Sequence, residues 1–231
     1  MNALIFASGA GTRFDKYTRN LPKPLLPVYE KPLISYILNG LNLAGITKAY
    51  ITLGYQGQMI KDKIGNNFKN INIVYINNPN WKKGNLQSLL VAEKYMDNRF
   101  ILCMSDHIFD FNIVKKLLNK KTNKSIVLAV DKKKVQNDDD TKVLTIEDDL
   151  IYDIGKKVNG NCVDTGFFYC STKVFNYAKE AAQKNAFELS DCIRISAKNK
   201  DAEIMDIDGL FWADIDTPED LKKYISMNPK I

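Results

Sequence analysis

Apolar positions along the chain fall into two alternating patterns, short unbroken runs and helical stripes. Ala3-Leu4-Ile5-Phe6 is an unbroken run of strand length. After Pro32-Leu33, the residues Ile34, Ile37, Leu38 and Leu41 recur at helical spacing, which predicts a helix that Gly45 is placed to end. Lys48 to Leu53 then reads as a strand, Gln56 to Ile64 as a short helix and Ile71 to Ile76 as a strand. Asn85 to Met96 predicts a helix that buries Leu86, Leu89 and Leu90. Phe100 to Met104 is a strand, Phe111 to Leu118 a helix and Ser125 to Val130 a strand. This alternation implies an α/β chain with a mostly parallel sheet flanked by helices. Ligands on such sheets bind beyond the carboxyl ends of the strands, where Gly9 to Lys23 and Asp106 fall.

The pattern changes after about residue 131. Lys142 to Ile146 and Ile151 to Gly155 predict a hairpin that turns at Asp148-Asp149. Val163 to Tyr169 predicts a strand, Thr172 to Gln183 and Leu189 to Ala197 two helices, and Ala202 to Ile207 and Leu210 to Ala213 two closing strands. In Thr217-Pro218-Glu219-Asp220, Thr217 is placed to cap a last helix, Pro218 fits its first position and Asp220 completes a capping box. No internal repeat and no linker composition interrupts the chain. Residues 1–231 therefore read as one domain with two halves, 1–131 and 132–231.

Composition narrows the class. The 231 residues are 45% hydrophobic and 26% charged, which suits a soluble globular protein with a sizeable core. No apolar stretch approaches the roughly 20 residues that cross a bilayer, which argues against direct membrane insertion. The amino-terminal residues enter a strand at once, without the charged leader and cleavage site of a signal peptide. Cys103, Cys162, Cys170 and Cys192 are widely spaced, with no C-x-x-C pair. They read as reduced core thiols of a cytoplasmic protein, not as a disulfide frame or a zinc site. The net charge of +6 admits nucleic acid, a membrane surface or an anionic small molecule. Lys132-Lys133-Lys134 is followed by Asp138-Asp139-Asp140, which reads as a solvated loop of self-cancelling charge. No helix carries a basic stripe interleaved with aromatics, and this sets nucleic acid aside.

The first chemical signal is the loop Ala7-Ser8-Gly9-Ala10-Gly11-Thr12-Arg13, with Lys23-Pro24-Leu25-Leu26-Pro27 beyond it. Glycines let backbone approach a ligand closely, and N–H groups in such a loop make a concavity for anions. Arg13 and Lys23 add full positive charge, so the segment suggests a nucleotide polyphosphate site. It is not a P-loop, because no Lys-Ser or Lys-Thr follows Gly11. It is not a dinucleotide fingerprint either, because Phe14 stands where the third glycine belongs.

G-x-G-T-R followed by P-K-P-L resembles the signature of the sugar-phosphate nucleotidyltransferase superfamily, and the resemblance runs from Ala3 to about Leu221. Later segments are most similar to the CTP:inositol-1-phosphate cytidylyltransferase branch. The resemblance implies a Rossmann-like (GT-A-like) mixed sheet, a nucleotide-binding half over 1–131 and an acceptor-binding half over 132–231. Ala7, Gly9, Gly11 and Thr12 would then hold the nucleotide. Gly84, Asn85 and Ser88, in Gly84-Asn85-Leu86-Gln87-Ser88, would meet its base. A helix-cap role for Asn85 can hold at the same time.

Asp106, just past the strand Phe100 to Met104, matches the family's metal aspartate. Oxygen ligands of this kind suit Mg²⁺. In Trp212-Ala213-Asp214-Ile215-Asp216, Asp214 aligns with the second metal ligand. Asp216 is the second choice, a partner that faces the same way on an extended segment. Val163-Asp164-Thr165-Gly166-Phe167-Phe168 looks like the branch's acceptor segment. Asp164 there either accepts hydrogen bonds from a polyol or pairs with backbone amides. Lys156 aligns with a lysine for the acceptor phosphate, with Lys142 a weaker candidate. Glu188 is either an acceptor contact or a carboxylate at a helix start. His107, the only histidine, is expected to position substrate or to pack, since an anionic phosphate nucleophile needs no general base.

The expected reaction is attack of an acceptor phosphate oxygen on the α-phosphorus of CTP, with pyrophosphate leaving. Two unit charges about 4 Å apart repel by about 4 kcal/mol at an effective dielectric near 20, so cations must do most of the work. Arg13 and Lys23 are the expected catalytic residues, with Mg²⁺ as cofactor. Inositol 1-phosphate is the best-matched acceptor. Phosphocholine or another phospho-alcohol comes next, then a hexose 1-phosphate, and a non-catalytic nucleotide-binding module stays open. In many relatives the domain is fused to a membrane-embedded enzyme that uses the CDP-alcohol. This sequence has no such segment, so the product is expected to go to a separate enzyme or to serve another pathway, and the question of a homodimer is open. The chain is also rich in asparagine, which counts against a role in extreme heat.

Overall fold

The computed structural model describes residues 1–18 and 20–227, with only the backbone described at Asp15, Lys16, Tyr17, Asp148 and Met227. Among the described residues the strands are β1 (Asn2–Ala7), β2 (Pro27–Val28), β3 (Lys31–Pro32), β4 (Lys48–Leu53), β5 (Asn67–Phe68), β6 (Ile71–Asn77), β7 (Phe100–Met104), β8 (His107–Phe109), β9 (Ile126–Asp131), β10 (Lys142–Thr145), β11 (Ile151–Gly155), β12 (Cys162–Cys170), β13 (Ala202–Asp206) and β14 (Trp212–Asp214). The helices are α1 (Ile34–Leu43), α2 (Gly57–Ile64), α3 (Leu86–Leu90), α4 (Asn112–Asn119), α5 (Val174–Gln183), α6 (Leu189–Lys198) and α7 (Pro218–Met227).

The main sheet has ten strands, in the order β11-β10-β12-β7-β1-β4-β6-β5, with β9 paired to β12 and β13. β7, β1, β4 and β6 are parallel, as the alternation of strands and helices requires. β12 runs antiparallel to both β7 and β9, so the sheet is mixed at its centre and not only at its edge. The strands bury both faces. Leu4, Phe6, Leu102 and Phe168 point into one apolar cluster, and Ala3, Ile5, Ile101 and Phe167 into the other, as the period of two dictates. No helix among the described residues is long and apolar enough to cross a membrane.

Several local expectations hold for their stated reasons. α1 ends in a paired turn in which Ile46 N donates to Leu41 O (3.0 Å) and Gly45 N to Asn42 O (3.0 Å). At the start of α7, Thr217 N donates to Asp220 Oδ2 (2.7 Å) and Asp220 N to Thr217 Oγ1 (3.2 Å), the reciprocal box read from the sequence. β10 and β11 form the expected hairpin, closed by a 3-10 turn over Glu147–Asp149.

The helix expected over Asn85 to Met96 is a correction. α3 ends at Leu90, and a 3-10 turn follows at Glu93–Tyr95. Ala92 N bonds to Leu89 O and Met96 N to Glu93 O, both three residues back. Leu86, Leu89 and Ala92 recur every third residue, so the tighter winding keeps them on the core. β8 was not expected. It is a three-residue strand, too short to show a period, and it pairs antiparallel with β14 so that His107 stands opposite Asp214. That pairing brings the carboxyl-terminal Asp214–Asp216 stretch to the end of β7.

Candidate active site

The loop after β1 opens at the carboxyl edge of the sheet. Gly11 adopts φ +62°, and a Cβ there would lie 2.8 Å from Lys23 Cβ, so only glycine lets this loop pass over the Lys23 stem. Lys23 sits in a short 3-10 turn and is 8% exposed. Its ammonium donates to Asp106 Oδ2 and Asp216 Oδ1, each at 2.6 Å. Arg13 Nη1 lies 2.7 Å from the other oxygen of Asp216. The two cations expected from the sequence thus meet two of the expected acids. Asp216, the second choice, shares Lys23 with Asp106. Asp214 lies at the β8 pairing, where its charge acts on His107 and Asp164.

Electrostatics follow from this packing. Burial alone would lower the Lys23 pKa, but the two carboxylates outweigh it and hold the ammonium above its ordinary value. Burial would raise Asp106, but Lys23 and His107 hold its carboxyl well below the usual range. His107 Nδ1 lies 2.8 Å from Asp106 Oδ1. Burial opposes charging of the ring, and the hydrogen bond and charge of Asp106 raise its pKa. The imidazole stacks on Trp212 at 6.2 Å and meets Phe167 edge-on at 5.8 Å, the packing role expected of it. Gly166 lies beneath it at φ +76°, where a Cβ would come 2.6 Å from His107 Nε2.

Two clefts meet at these residues. The first is lined by Ala7, Gly9, Gly11, Thr12, Gly84, Asn85 and Ser88, together with Arg13, Lys23 and Asp106. The second is lined by Asp164, Gly166, Lys156, Glu188 and His107, with Asp106, Asp214 and Asp216. Arg13, Asn85, Met104, Asp106 and Asp216 border both.

Details differ from expectation. Asn85 makes no side-chain cap on α3; its Oδ1 accepts from Leu189 N at 2.6 Å, so it caps the neighbouring helix α6 instead. Ser88 Oγ donates to Ser8 Oγ (3.1 Å) and accepts from Asn78 Nδ2 (3.2 Å), so its hydroxyl is already engaged beneath the cleft floor. Asp164 Oδ1 accepts from Gly166 N at 2.7 Å, as the plainer of its two readings has it, and the residue also lines the second cleft. Burial pushes its carboxyl up to about 6 against the pull of that amide and of His107. Glu188 starts α6 as a helix-start carboxylate, with its N–H donating to Asp191 Oδ2 at 3.1 Å, and it too borders the cleft. Lys142 Nζ donates to Lys156 O at 3.4 Å.

The acidic stretch Asp138–Asp140 is not simply solvated. Asp140 is 7% exposed, pairs with Lys134 at 2.8 Å and, with Asp139, walls the second cleft. Lys134 also lies over the Trp212 ring at 4.4 Å. Sequence reasoning gave no role to Ser8, Asn78 or Arg194. Asn78 sits just past β6, at the same sheet edge as the first loop, and that position was a usable signal. Arg194 pairs with Asp191 one turn back in α6 (3.0 Å) and with Asp153 of β11 (2.9 Å), and the second partner, 41 residues away, leaves no local trace.

The residues fit a divalent cation on one observation: Asp106 and Asp216 already share a cationic nitrogen between them. Among the described residues no group of three or more His, Cys, Asp or Glu is arranged to hold a metal. The ion would therefore complete its shell with substrate oxygens and water.

Comparisons with known proteins bear on the family and the fold. The family described as Nucleotidyl transferase matches residues 2–229. A bifunctional IPC transferase and DIPP synthase of Archaeoglobus fulgidus is 30% identical over 227 residues, which are 96% of this chain and 43% of that protein. The chain thus spans about half or less of the first relatives it matches. A D-glycero-alpha-D-manno-heptose 1-phosphate guanylyltransferase of Campylobacter jejuni is 27% identical, with 99% of this chain and 100% of that protein covered. The inositol-1-phosphate CTP transferase structure from T. maritima superposes with a TM-score of 0.83 at 23% identity, over 100% of this chain and 98% of that one, so the fold is shared. With a match that runs through every strand of the sheet, the chain belongs to the nucleotidyl transferase family.

Proposed function

We propose that this chain transfers CMP from CTP to a small phosphorylated alcohol, with inositol 1-phosphate the best-supported acceptor, giving CDP-inositol and pyrophosphate. The observation that carries the reading is the shared border of the two clefts at Arg13, Asp106 and Asp216; an α-phosphate in one cleft would there face an acceptor phosphate in the other. The likeness to the inositol-1-phosphate CTP transferase from T. maritima supports the choice of nucleotide and acceptor.

The glycine loop binds the triphosphate through its backbone N–H groups. Arg13 neutralises the departing pyrophosphate, and Lys23 lies against the phosphates where charge builds in the transition state. Asp106 with Asp214, or with Asp216 as the second choice, would hold Mg²⁺, which would supply positive charge at the α-phosphate. The attacking acceptor oxygen is already anionic, so no side chain removes a proton. His107 accordingly braces Asp106 through its 2.8 Å contact. Lys156 offers its charge to the acceptor phosphate at the exposed rim. Asp164 and Glu188 receive hydroxyl protons in hydrogen bonds from the polyol.

A second acceptor class has one observation in its favour. The acceptor cleft is rich in carboxylates, with Asp139, Asp140, Asp164 and Glu188 on its wall, which suits a cationic head such as that of phosphocholine. Asp106→Ala is the direct test of catalysis. Its turnover with CTP and inositol 1-phosphate should fall about a hundredfold or more, the loss expected when an electrostatic contact to the transition state is removed. Unchanged turnover would show that the clefts meet somewhere other than the reacting centre.

A further inference from the structure

Lys23 bridges the carboxylates of Asp106 and Asp216. Its ammonium is 2.6 Å from Asp106 Oδ2 and 2.6 Å from Asp216 Oδ1, and its side chain is only 10% exposed. We infer that in the nucleotide-free protein Lys23 occupies the cation position between these carboxylates, so that Lys23 and a divalent metal exclude one another there until a triphosphate draws Lys23 away. This rests on the nucleotidyltransferase reading of the site.

Charge arithmetic supports the exclusion. Arg13, Lys23, Asp106 and Asp216 together carry two positive and two negative charges, so the cluster is neutral as it stands. A divalent ion that enters without a counter-charge meets a buried ammonium at close range, in surroundings that screen charge poorly. Arg13 can yield, because its side chain is 52% exposed and its guanidinium can swing into water. Lys23 is held in its turn by the Leu26 N to Lys23 O bond and by the close passage of Gly11, and its side chain is only 10% exposed, so it yields less readily than Arg13.

The nucleotide cleft is the other place its ammonium can go, since Lys23 lines that cleft. A bound triphosphate supplies new anionic partners for Lys23 and Arg13 and leaves Asp106 and Asp216 free to accept the ion. The same phosphates supply metal ligands that the protein lacks, because no three-residue cluster among the described residues holds an ion alone. Metal and nucleotide therefore bind as a pair, and Lys23 is the positioning residue that couples them.

The test is Mn²⁺ binding to the nucleotide-free protein, followed through the electron paramagnetic resonance signal of the free ion. Lys23→Met removes the ammonium and keeps the aliphatic stem. Its Mn²⁺ affinity should exceed that of the wild type at least tenfold. Lys23→Gln carries the same expectation if the methionine form does not fold. Arg13→Met removes an equal charge from Asp216 at an exposed position that does not lie between the carboxylates, so it should raise affinity less than threefold. Equal Mn²⁺ affinity in wild type and both Lys23 variants overturns the inference, and so does an Arg13→Met gain as large as that of Lys23→Met. Pyrophosphate release from CTP by the wild type is read separately. Release combined with equal Mn²⁺ affinities sinks this inference alone. Absence of release combined with tighter Mn²⁺ binding by Lys23→Met sinks the catalytic reading and leaves the exclusion standing.

Discussion

Asp164 shows how one residue can carry a measurable signature of the site. Burial pushes its carboxyl up to about 6, against about 4 in the unfolded chain. A carboxyl raised on folding keeps a proton that the unfolded chain has released, so it lowers stability as pH rises from about 4 to about 6 and adds no further change above that. Asp164→Asn removes this contribution. Its urea midpoint should therefore fall less across that window than the wild-type midpoint does, and equal slopes would contradict the assigned environment. The sequence offered two readings of Asp164, polyol acceptor or amide partner. The structure supplies the amide at Gly166 and places the residue on the cleft wall as well. Asn85 and Ser88 were legible as cleft residues from their motif. Their partners Leu189 and Ser8 were not, because contacts 104 and 80 residues apart leave no trace in local spacing.

At the scale of elements, α1 and β8 are coupled through Gly40. A Cβ at Gly40 would come 2.5 Å from Phe109 Cζ, and Phe109 in turn lies 4.3 Å from Phe167, which packs against His107. Gly to Ala in a helix ordinarily gains about 1 kcal/mol, but overpacking a filled core costs about 1–3 kcal/mol. The clash has the larger range, so Gly40→Ala should lower the unfolding free energy in a denaturant titration. A gain in stability would mean that Phe109 moves aside freely.

A second joint sits at the far end of the sheet. There Asp201 accepts from Ser125 Oγ (2.5 Å), Tyr177 OH (2.7 Å) and Lys173 Nζ (2.7 Å). Burial would raise its carboxyl, but these partners outweigh burial and hold it down to about 2. A carboxyl lowered on folding contributes stability that is present above about pH 4 and lost as pH falls toward 2. Asp201→Asn should cost on the order of 1–2 kcal/mol at neutral pH and less below pH 3. A cost that stays constant with pH would contradict the pairing. Helices and strands with a clear period, such as α1 and β4, were legible from apolar spacing. β8 and the early end of α3 were not, because a three-residue strand has no period and a spacing of three is shared by α and 3-10 winding.

The whole molecule is organised so that segments distant in sequence converge on one point. β1 supplies the loop, the 3-10 turn supplies Lys23, β7 leads to Asp106, and β14 returns Asp214 and Asp216 by pairing with β8. The alternation of strands and helices announced the parallel core, and the carboxyl-end rule announced the sheet edge at which the two clefts open. The insertion of β12 between β7 and β9 was not announced, because strand order depends on packing and not on the period of any one segment. That insertion carries Asp164 and Gly166 to the wall of the second cleft, beside the first.

The most direct measurement of the central claim is pyrophosphate release with each nucleoside triphosphate against a panel of phosphorylated acceptors in the presence of Mg²⁺. The account predicts release that requires both CTP and a small phosphorylated alcohol, fastest with inositol 1-phosphate. Absence of release from every pair, or release from another triphosphate at a rate equal to that from CTP, would contradict it.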